Sequence, residues 1–308
     1  MTDIKSMTLE ELQELMESMG EKKFRATQIY GWLHQRLAVS YDEMANLPKS
    51  LKKKLESWPV TALETIDVQI SKIDGTRKYL FRLSDGNMIE SVLMRYRHGN
   101  SVCISSQAGC RMGCRFCAST IGGLARNLLP SEMLDQIYRI QSSTGERISN
   151  VVVMGSGEPL DNYDNLLRFI HLLTAEGGLH LSQRNLTVST CGIVPKMYEL
   201  ADEKLQMTLA VSLHASNDEK RQELMPIAKK YSIKELLKAC RYYFEKTGRR
   251  ITFEYSLVAG VNDTKEDALE LAGILKGMNC HVNLIPVNPV RERSFARSGR
   301  EAVENFKI

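Results

Sequence analysis

The sequence lacks any apolar run that approaches the roughly 20 residues that a membrane-spanning helix requires. The N-terminal segment MTDIKSMTLEELQELMESMG is acidic and amphipathic, and it has no continuous apolar stretch of the kind found in signal peptides. A hydrophobic content of 43% and a charged content of 25% are those of an ordinary globular protein. We therefore expect a cytoplasmic protein without a membrane partner, and 308 residues predict one large domain or two smaller ones.

A strong excess of one charge sign is also missing, because the net charge is only +4. The charge is nevertheless unevenly distributed. An N-terminal basic cluster between positions 22 and 54 contains only two acidic residues, Asp42 and Glu43, and a C-terminal basic cluster between positions 291 and 300 contains only Glu292. Both clusters fit contacts with phosphates, although solvated helix faces are an alternative for either one alone. The clusters comprise Lys22, Lys23, Arg25, Arg36, Lys49, Lys52, Lys53 and Lys54, and Arg291, Arg293, Arg297 and Arg300.

Residues 1–60 are predicted to form a small helical domain that carries the N-terminal basic cluster. Thr8 and Glu11 have the spacing of a capping box, at the start of a helix near 8–19. Apolar residues at helical spacing predict a second helix over roughly 24–37, and a third helix is expected after Pro48.

Residues 61–100 are predicted to form an antiparallel β meander, because hairpin-turn dipeptides break short alternating runs at Asp74-Gly75 and Asp85-Gly86. Residues 101–308 then alternate strand and helix patterns. Six such units imply parallel strands with crossover helices, so the predicted class is α/β, with an open sheet or a partial (β/α)6 barrel. The last unit is expected to be incomplete, because no strand follows the helix that is predicted to reach Ile308. Strands are expected near 101–105, 149–154, 185–190, 207–213, 250–257 and 281–286, and helices near 130–143, 162–175, 195–203, 232–246 and 264–277.

Three cysteines within eight residues, Cys110, Cys114 and Cys117, form the strongest local signal in the sequence. Iron–sulfur clusters bind cysteine thiolates, normally four for a closed [4Fe–4S] site. Three local ligands would leave one iron open, and a small molecule can bind and be activated at an open metal position. Gly109 and Gly113 provide the backbone freedom that a tight ligand loop needs. The motif therefore predicts a [4Fe–4S] cluster with three cysteine ligands and one open iron.

A structural zinc site is the alternative for these cysteines. Zinc ligands usually come in closely spaced pairs, and the sequence lacks a second pair because Cys191, Cys240 and Cys280 stand alone. A disulfide framework is disfavoured as well, since the seven cysteines are an odd number and a reducing compartment favours metal or catalytic use.

The CxxxCxxC spacing after the first strand of an α/β repeat resembles the radical S-adenosylmethionine (SAM) superfamily. More specifically, the sequence closely resembles the RlmN family, whose members methylate C2 of an adenosine in 23S rRNA. It is carried by the run Cys103–Cys110, the following CRMGCRFCAST, MGSGEPL (154–160), SLHASND (212–218), LMPI (224–227) and VNLIPVNP (282–289). The resemblance implies that the open iron binds SAM and that residues 1–60 are an RNA-binding accessory domain. It also implies a monomer whose partners are 23S rRNA, in some members tRNA, and a flavodoxin-type electron donor.

By resemblance, a set of residues contacts SAM: Gly157, Glu158, Ser189, Ser212, Leu213, His214 and Asn288. They fall just after predicted strands, and the active sites of β/α barrels lie at the carboxyl ends of the strands. Glu158 is the expected partner of the SAM ammonium group, because a carboxylate makes a charge-assisted hydrogen bond to it. For His214 taken alone, a structural role is the alternative.

The resemblance assigns catalytic roles to Cys103 and Glu90. Cys103 lies seven residues before Cys110 and matches the thiol that resolves a protein–RNA crosslink. A core cysteine in a strand is the alternative. Glu90 matches the position of a proton acceptor, and a solvated strand position between Ile89 and Ser91 is the alternative.

The implied reaction is a ping-pong methyl transfer that uses two SAM molecules. One SAM methylates a cysteine near the C-terminus, and the second supplies a 5′-deoxyadenosyl radical that abstracts hydrogen from this methyl group. The methylene radical adds to C2 of adenine, and a disulfide with Cys103 then releases the product. The family's methyl-carrying cysteine sits in a segment of the type ACGQL, which these 308 residues lack. We therefore expect a truncated chain that binds the cluster and SAM but does not methylate RNA.

Other functions remain open. A related branch methylates C8 of the same adenosine, and Pro159 favours the C2 branch because the C8 branch typically has alanine there. A radical SAM enzyme that acts on a protein or a small molecule would not need the helical domain and the basic clusters. A zinc-dependent RNA-binding protein without catalysis would leave the motifs at the strand ends without a role.

Overall fold

The computed structural model describes residues 3–307, which form a mixed α/β fold. Their packing divides into two compact units. The first unit comprises the described residues up to Ala108 together with Asn127–Gly155 and Asn162–Leu186. The second comprises Gly109–Arg126, Ser156–Asp161 and the described residues from Thr187 onward. Within residues 3–307, no helix is both long and apolar enough to cross a membrane.

The first unit begins with three helices, α1 (Leu9–Ser18), α2 (Phe24–His34) and α3 (Lys49–Leu55). The predicted capping box is confirmed, because Glu11 N donates to Thr8 Oγ1 at 3.2 Å and Thr8 N donates to Glu11 Oε2 at 2.9 Å. Helix α2 ends at His34 rather than near 37, which corrects the prediction. Leu37 adopts a left-handed φ of 60°, and Ala38 N donates back to Trp32 O at 2.9 Å, so the chain closes the helix there.

The following elements are β1 (Glu64–Ile70), β2 (Arg77–Arg82), β3 (Met88–Tyr96), β4 (Gly99–Ile104), β5 (Gln107–Gly109), β6 (Leu124–Asn127), α4 (Pro130–Thr144), β7 (Ile148–Val153) and α5 (Tyr163–Thr174). Strands β1 to β4 pair antiparallel in sequence order, as the meander prediction requires. Strand β4 also pairs with β7, in parallel, and so begins the parallel part of the fold. The short strands β5 and β6 precede and follow the cysteine-rich segment.

Helix α4 packs against one face of the first unit's sheet. Ile89, Ser91 and Leu93 of β3 are buried, and Ser91 Oγ donates to Gln136 Oε1 of α4 at 2.7 Å. The same oxygen of Gln136 accepts a hydrogen bond from Ser105 N at 2.8 Å, just after β4. Because side chains alternate along a strand, Glu90 points to the opposite face of the sheet.

A buried polar network connects the N-terminal residues to α4. Lys5 Nζ and Asp135 Oδ1 form an ion pair at 2.6 Å, and both side chains are fully buried. Asp135 Oδ2 accepts a hydrogen bond from Leu63 N at 2.7 Å. One turn further along α4, Tyr138 Oη lies 2.8 Å from His34 Nδ1 of α2. The helical domain is therefore held on α4 by polar contacts that water does not reach.

The second unit is built on parallel strands. Its elements are β8 (Leu186–Thr190), α6 (Val194–Asp202), β9 (Thr208–Ser212), α7 (Asp218–Leu224), α8 (Ile233–Thr247), β10 (Ile251–Leu257), α9 (Lys265–Leu275), β11 (Cys280–Pro286) and α10 (Arg300–Phe306). Strand β9 pairs with β8 and β10, and β10 pairs with β11. Ser189 of β8 is in register with Ala210 of β9, and Ser212 of β9 is in register with Glu254 of β10. The carboxyl ends of these strands therefore meet at one edge.

The strands and helices predicted for residues 101–308 agree with these bounds to within two residues. Helix α7 was not predicted, because its sequence DEKRQEL is short and mostly charged. The predicted terminal helix corresponds to α10, which ends at Phe306, and Ile308 lies outside the described residues. The domain boundaries proposed at residues 60 and 100 stay a prediction.

Candidate active site

The cysteine-rich segment forms a loop whose two ends are held close together. Cys110 N donates to Gly123 O at 2.9 Å. Gly109 adopts a φ of 76°, and a Cβ atom at this position would overlap the carbonyl oxygen of Gly123. Only glycine permits both this backbone conformation and this approach. The role predicted for Gly109 from the sequence agrees with this geometry.

Hydrogen bonds inside the loop fix the positions of the second and third cysteines. Cys117 N donates to Cys114 O at 3.1 Å. The hydroxyl of Thr120 donates to Cys114 O and Cys117 O, at 3.1 and 2.9 Å. Arg293 Nη2 in turn donates to Thr120 Oγ1 at 3.0 Å, so one member of the C-terminal basic cluster supports this loop.

The three thiols are close enough to influence one another electrostatically. Burial, followed by the charges of Glu158 and Cys117, raises the pKa of Cys110 to about 11. Burial, followed by the charges of Cys117 and Cys110, raises the pKa of Cys114 to about 12. Both groups are therefore neutral thiols at pH 7 until a metal replaces the proton, since a coordinating thiol is deprotonated by the metal charge.

The donor atoms of this loop are compatible with an iron–sulfur cluster, which takes cysteine thiolates as ligands. The loop supplies three cysteines, whereas a structural zinc ion takes four ligands. The electrostatic interaction of Cys114 with Cys110 and Cys117 also indicates that the three thiols lie in one neighbourhood.

Glu158 follows β7 and connects its segment to the end of β8. Its side chain is only 3% exposed. Oε1 accepts hydrogen bonds from Leu160 N at 3.0 Å and Thr190 Oγ1 at 2.7 Å, and Oε2 accepts one from Cys191 N at 2.7 Å. Burial raises the pKa of this carboxyl, and the hydrogen bonds lower it. Before it, Gly157 adopts a φ of 109°, a backbone conformation that favours glycine.

The segment Ser212–His214 continues from β9. Leu213 N and His214 N both donate to Glu254 O of β10, at 3.0 and 3.3 Å. His214 then adopts a left-handed φ of 56°, which is uncommon for a residue other than glycine. Asn262 stabilises this turn, because its Nδ2 donates to His214 O at 2.7 Å. Backbone strain of this kind is typical of functional segments.

The imidazole of His214 has a defined hydrogen-bonding state. Its Nδ1 lies 2.9 Å from Ser256 N, which donates to it. Burial and the charge of Arg221 lower its pKa to about 3, so the ring is neutral at pH 7. Because Nδ1 accepts, Nε2 carries the proton and is a donor. The ring also packs edge-on against Phe116 of the cysteine loop, with centroids 4.9 Å apart.

The remaining predicted SAM contacts lie on the same unit. Ser189 is half-buried near the end of β8, one residue before Thr190, which contacts Glu158. Asn288 is exposed and follows Val287, which packs in one apolar cluster with Cys114 and Cys191. Cys114 therefore packs in one cluster with residues that follow β8 and β11, while the SAM contacts of Ser189, Ser212 and Asn288 stay a prediction.

The two predicted catalytic residues belong to the first unit. Cys103 of β4 is in register with Val92 of β3, and Glu90 lies two residues before Val92. Side chains two residues apart share a strand face, so Glu90 and Cys103 lie on the same face of the sheet, on adjacent strands. Glu90 is exposed and forms an ion pair with Lys78 at 2.6 Å. Burial raises the pKa of Cys103 to about 11, and this cysteine does not form a disulfide bond.

The sequence-based reasoning missed two supporting residues, Arg221 and Asn262. Arg221 is fully buried, and Asn262 is buried beside His214. The burial of Arg221 could have been predicted, because it lies three residues before Leu224 and therefore on the same, apolar side of α7. The polar neighbours Lys220 and Gln222 made this spacing difficult to recognise in the sequence. Asn262 lies in a loop and has no periodic signal.

Two family models match the chain. The model of the Radical SAM superfamily matches residues 104–272. The model of the ribosomal RNA large subunit methyltransferase N-terminal domain matches residues 2–60. The two matches cover the cysteine loop and the N-terminal helices.

Curated proteins named probable dual-specificity RNA methyltransferase RlmN are similar to the chain over its whole length. The protein from Lachnospira eligens is 66% identical over 308 residues, which cover 100% of this chain and 88% of that protein. The protein from Lachnoclostridium phytofermentans is 60% identical, over 99% of this chain and 86% of that protein.

A solved structure is also similar. The crystal structure of a radical SAM methyltransferase from Sphaerobacter thermophilus is 44% identical, covers 99% of this chain and 91% of that chain, and superimposes with a TM-score of 0.95. This likeness confirms the predicted fold class, a partial (β/α)6 radical SAM barrel preceded by helices and an antiparallel meander.

Proposed function

The chain belongs to the RlmN family of radical SAM RNA methyltransferases, and from this premise we propose that it methylates C2 of an adenosine in the peptidyl-transferase centre of 23S rRNA. The observation that carries the proposal is the contact of the cysteine loop with the strand-end residues, through Phe116 and His214. Pro159 after Glu158 supports the C2 branch over the C8 branch. The relatives' dual-specificity names support a second RNA substrate, which we propose to be tRNA.

The proposed cofactors are a [4Fe–4S] cluster and SAM. Cys110, Cys114 and Cys117 would hold the cluster, and its open iron is the proposed SAM site. When bound, the cluster and SAM supply a 5′-deoxyadenosyl radical. A flavodoxin-type protein is the proposed electron donor to the monomeric enzyme.

The second unit's own residues bind and orient SAM in this proposal. Glu158 accepts a hydrogen bond from the SAM ammonium group, in addition to the donors that already hold it in place. The Nε2–H group of His214 is a fixed donor, because Ser256 N occupies Nδ1. The proposed remaining contacts are Gly157, Ser189, Ser212, Leu213 and Asn288.

Glu90 and Cys103 act on the substrate base in this proposal. Glu90 accepts the proton that leaves C2 of adenine after the new carbon–carbon bond has formed. Cys103 would attack the sulfur of the methyl-carrying cysteine, so that a disulfide bond forms as the carbon–sulfur bond breaks. The electron pair left on the carbon would take up a proton, which completes the methyl group on C2. The Cys103 thiol must lose its proton first, and its raised pKa means that a base has to assist this step.

The helical domain is proposed to bind RNA through the N-terminal basic cluster. Arg36 stacks on Trp32, with its guanidinium carbon 4.2 Å from the ring centroid, and Arg25 stacks on Phe24 at 4.7 Å. Phe24 is 49% exposed. Cationic side chains next to exposed aromatic rings suit single-stranded RNA, whose phosphates and unstacked bases both need partners.

The test measures RNA binding and SAM cleavage, because these 308 residues lack the ACGQL-type segment. A 23S rRNA hairpin with the target adenosine is compared with hairpins that carry 2-methyladenosine or 8-methyladenosine at that position. The reconstituted protein with SAM should bind the unmodified and the C8-methylated hairpins equally and the C2-methylated hairpin more weakly. Weaker binding of the C8-methylated hairpin alone would contradict the assignment to C2. Formation of 2-methyladenosine would support the assignment to C2, and formation of 8-methyladenosine would contradict it.

A further inference from the structure

Arg221 of α7 is fully buried in the second unit, and main-chain oxygens surround its guanidinium. Nη2 donates to Cys191 O at 2.8 Å and to Ser212 O at 3.2 Å. Nε donates to Leu213 O at 3.2 Å, and Nη1 donates to Tyr231 O at 3.5 Å. Within residues 3–307, no carboxylate forms an ion pair with this group. Asp218, on the same helix, interacts with this group electrostatically without a direct ion pair. The second unit therefore contains a buried cation whose direct partners are carbonyl dipoles.

A buried, unpaired cation needs a reason beyond packing. Removing a charge from water has a large desolvation cost, and carbonyl dipoles offset only part of it. Desolvation lowers the pKa of Arg221 accordingly. Leu224, one turn along the same helix, fills its space without this cost. Simple filling of the core therefore does not account for an arginine at position 221.

Two of the carbonyl groups that Arg221 binds, those of Ser212 and Leu213, belong to residues of the proposed SAM site. Ser212 is the last residue of β9 and Leu213 follows it, whereas Cys191 follows the end of β8. Next to Cys191, Gly192 adopts a φ of 99°, and a Cβ atom there would lie 2.6 Å from Leu236 Cδ1. The same Cβ atom would lie 3.4 Å from Arg221 Nη2, so glycine leaves room for the guanidinium next to the Cys191 carbonyl. One side chain therefore sets the distance between the ends of two neighbouring strands.

The charge of Arg221 also lies close to the cysteine loop. Cys114 and Cys191 both interact electrostatically with it. Leu224 of α7 packs in the same apolar cluster as Cys114, and Leu224 O accepts a hydrogen bond from Arg115 N at 2.9 Å. Reduction of an iron–sulfur cluster adds negative charge, and nearby charge is one of the factors that set the reduction potential. In a dry site a neighbouring cation stabilises the reduced form.

We propose that Arg221 is a positioning residue that holds the ends of β8 and β9 in the SAM-binding arrangement and whose buried charge raises the reduction potential of the cluster on Cys110, Cys114 and Cys117. The proposal rests on the proposed function of this site. Arg221 makes two contributions in it, one to the geometry of the strand ends and one to the reduction potential of the cluster. The geometric contribution depends on the three-way donor pattern of guanidinium, whereas the electrostatic contribution depends only on the positive charge.

The experiment compares Arg221→Lys and Arg221→Met with the unchanged 308-residue protein after anaerobic reconstitution. Lys220→Met is the matched control, because Lys220 is the neighbouring cation on α7 and pairs with Asp267 at 2.7 Å. The midpoint potential of the cluster is measured by an EPR-monitored redox titration without SAM. The dissociation constant of SAM is measured by equilibrium dialysis, and iron content and thermal unfolding confirm that each variant is loaded and folded.

The Lys variant should keep the midpoint potential but bind SAM about tenfold more weakly. The Met variant should bind SAM as weakly as the Lys variant does. Its equilibrium constant for reduction of the cluster should fall at least tenfold, which lowers the midpoint potential by about 59 mV for one electron. Lys220→Met should leave both quantities unchanged. Unchanged SAM affinity in a folded, iron-loaded Lys variant would overturn the proposal even if the Met variant does not fold. A Lys220→Met variant that changes both quantities equally would also overturn it.

Failure of the proposed function would look different. In that case the unchanged protein would not take up four irons or would not bind SAM. Normal iron loading and SAM binding by the unchanged protein, with unaltered Arg221 variants, would refute the role of Arg221 alone.

Discussion

Replacement of His34 by asparagine should flatten the dependence of stability on pH. His34 is fully buried under Tyr138, and burial lowers its pKa from 6.5 to about 3, with a smaller contribution from the charge of Lys5. Below pH 6.5 the unfolded chain therefore binds a proton at this site that the folded chain does not bind. Stability rises with pH in this window, and it is lost as the pH falls from about 6.5 towards 3.

The size of this effect follows from proton linkage. Between pH 7 and pH 5, one histidine that is protonated only in the unfolded state lowers the free energy of unfolding by about 2 kcal/mol. Asparagine retains a hydrogen-bonding atom near the position of Nδ1, so the contact with Tyr138 at 2.8 Å can persist without a titrating group. Between pH 7 and pH 5, the free energy of unfolding of the His34→Asn variant should thus fall by about 2 kcal/mol less than that of the unchanged protein.

Urea unfolding followed by circular dichroism, at pH 7 and at pH 5, measures this difference. His98 provides the control, because it is exposed and stacks on Tyr96 at 5.1 Å. The His98→Asn variant should follow the unchanged protein at both pH values. Parallel pH dependence of the His34→Asn variant and the unchanged protein would refute the reasoning about burial.

Further predictions concern the loop, the ion pair and the basic cluster. Gly109→Ala should bind only a small fraction of the iron that the control variant Gly122→Ala binds after reconstitution, as measured by iron analysis. The reason is that a Cβ atom at position 109 would overlap Gly123 O, whereas a Cβ atom at position 122 would meet open space. Equal iron in both variants would contradict the role of Gly109. Lys5→Met should lower the free energy of unfolding by about 3 kcal/mol, because the buried Asp135 carboxylate then retains only the longer ion pair with Arg139, at 3.4 Å. Urea denaturation with a loss below about 1 kcal/mol would show that this ion pair is not essential. Replacement of Lys52, Lys53 and Lys54 by alanine should weaken RNA binding, reduce its salt dependence by up to three counterions and leave SAM cleavage intact. Unchanged RNA affinity in filter-binding assays would remove these residues from the proposed RNA surface.

Elements with a strong periodic or turn signal could be predicted from the sequence. The alternation of strands and helices after residue 100 gave bounds within two residues of those observed. The capping box at Thr8 is a local contact, so its sequence signature was sufficient. The end of α2 was less predictable, because no glycine marks the left-handed residue Leu37.

The cysteine motif and the strand-end motifs could be predicted because they are contiguous in sequence. The contacts that hold them together could not. The carbonyl ligands of Arg221 come from positions 191, 212, 213 and 231, and only the folded chain brings them to one side chain. The same holds for Glu158, whose partners at positions 190 and 191 lie on a different strand. Sequence motifs therefore indicated the chemistry, and the structure showed what positions it.

In the proposed function, Cys110, Cys114 and Cys117 hold a cluster that activates SAM. Anaerobic reconstitution, followed by reduction with dithionite in the presence of SAM and detection of 5′-deoxyadenosine, tests this role. We expect four irons per chain and SAM cleavage, with both lost in a Cys114→Ala variant. A protein that binds zinc and does not cleave SAM would contradict this role.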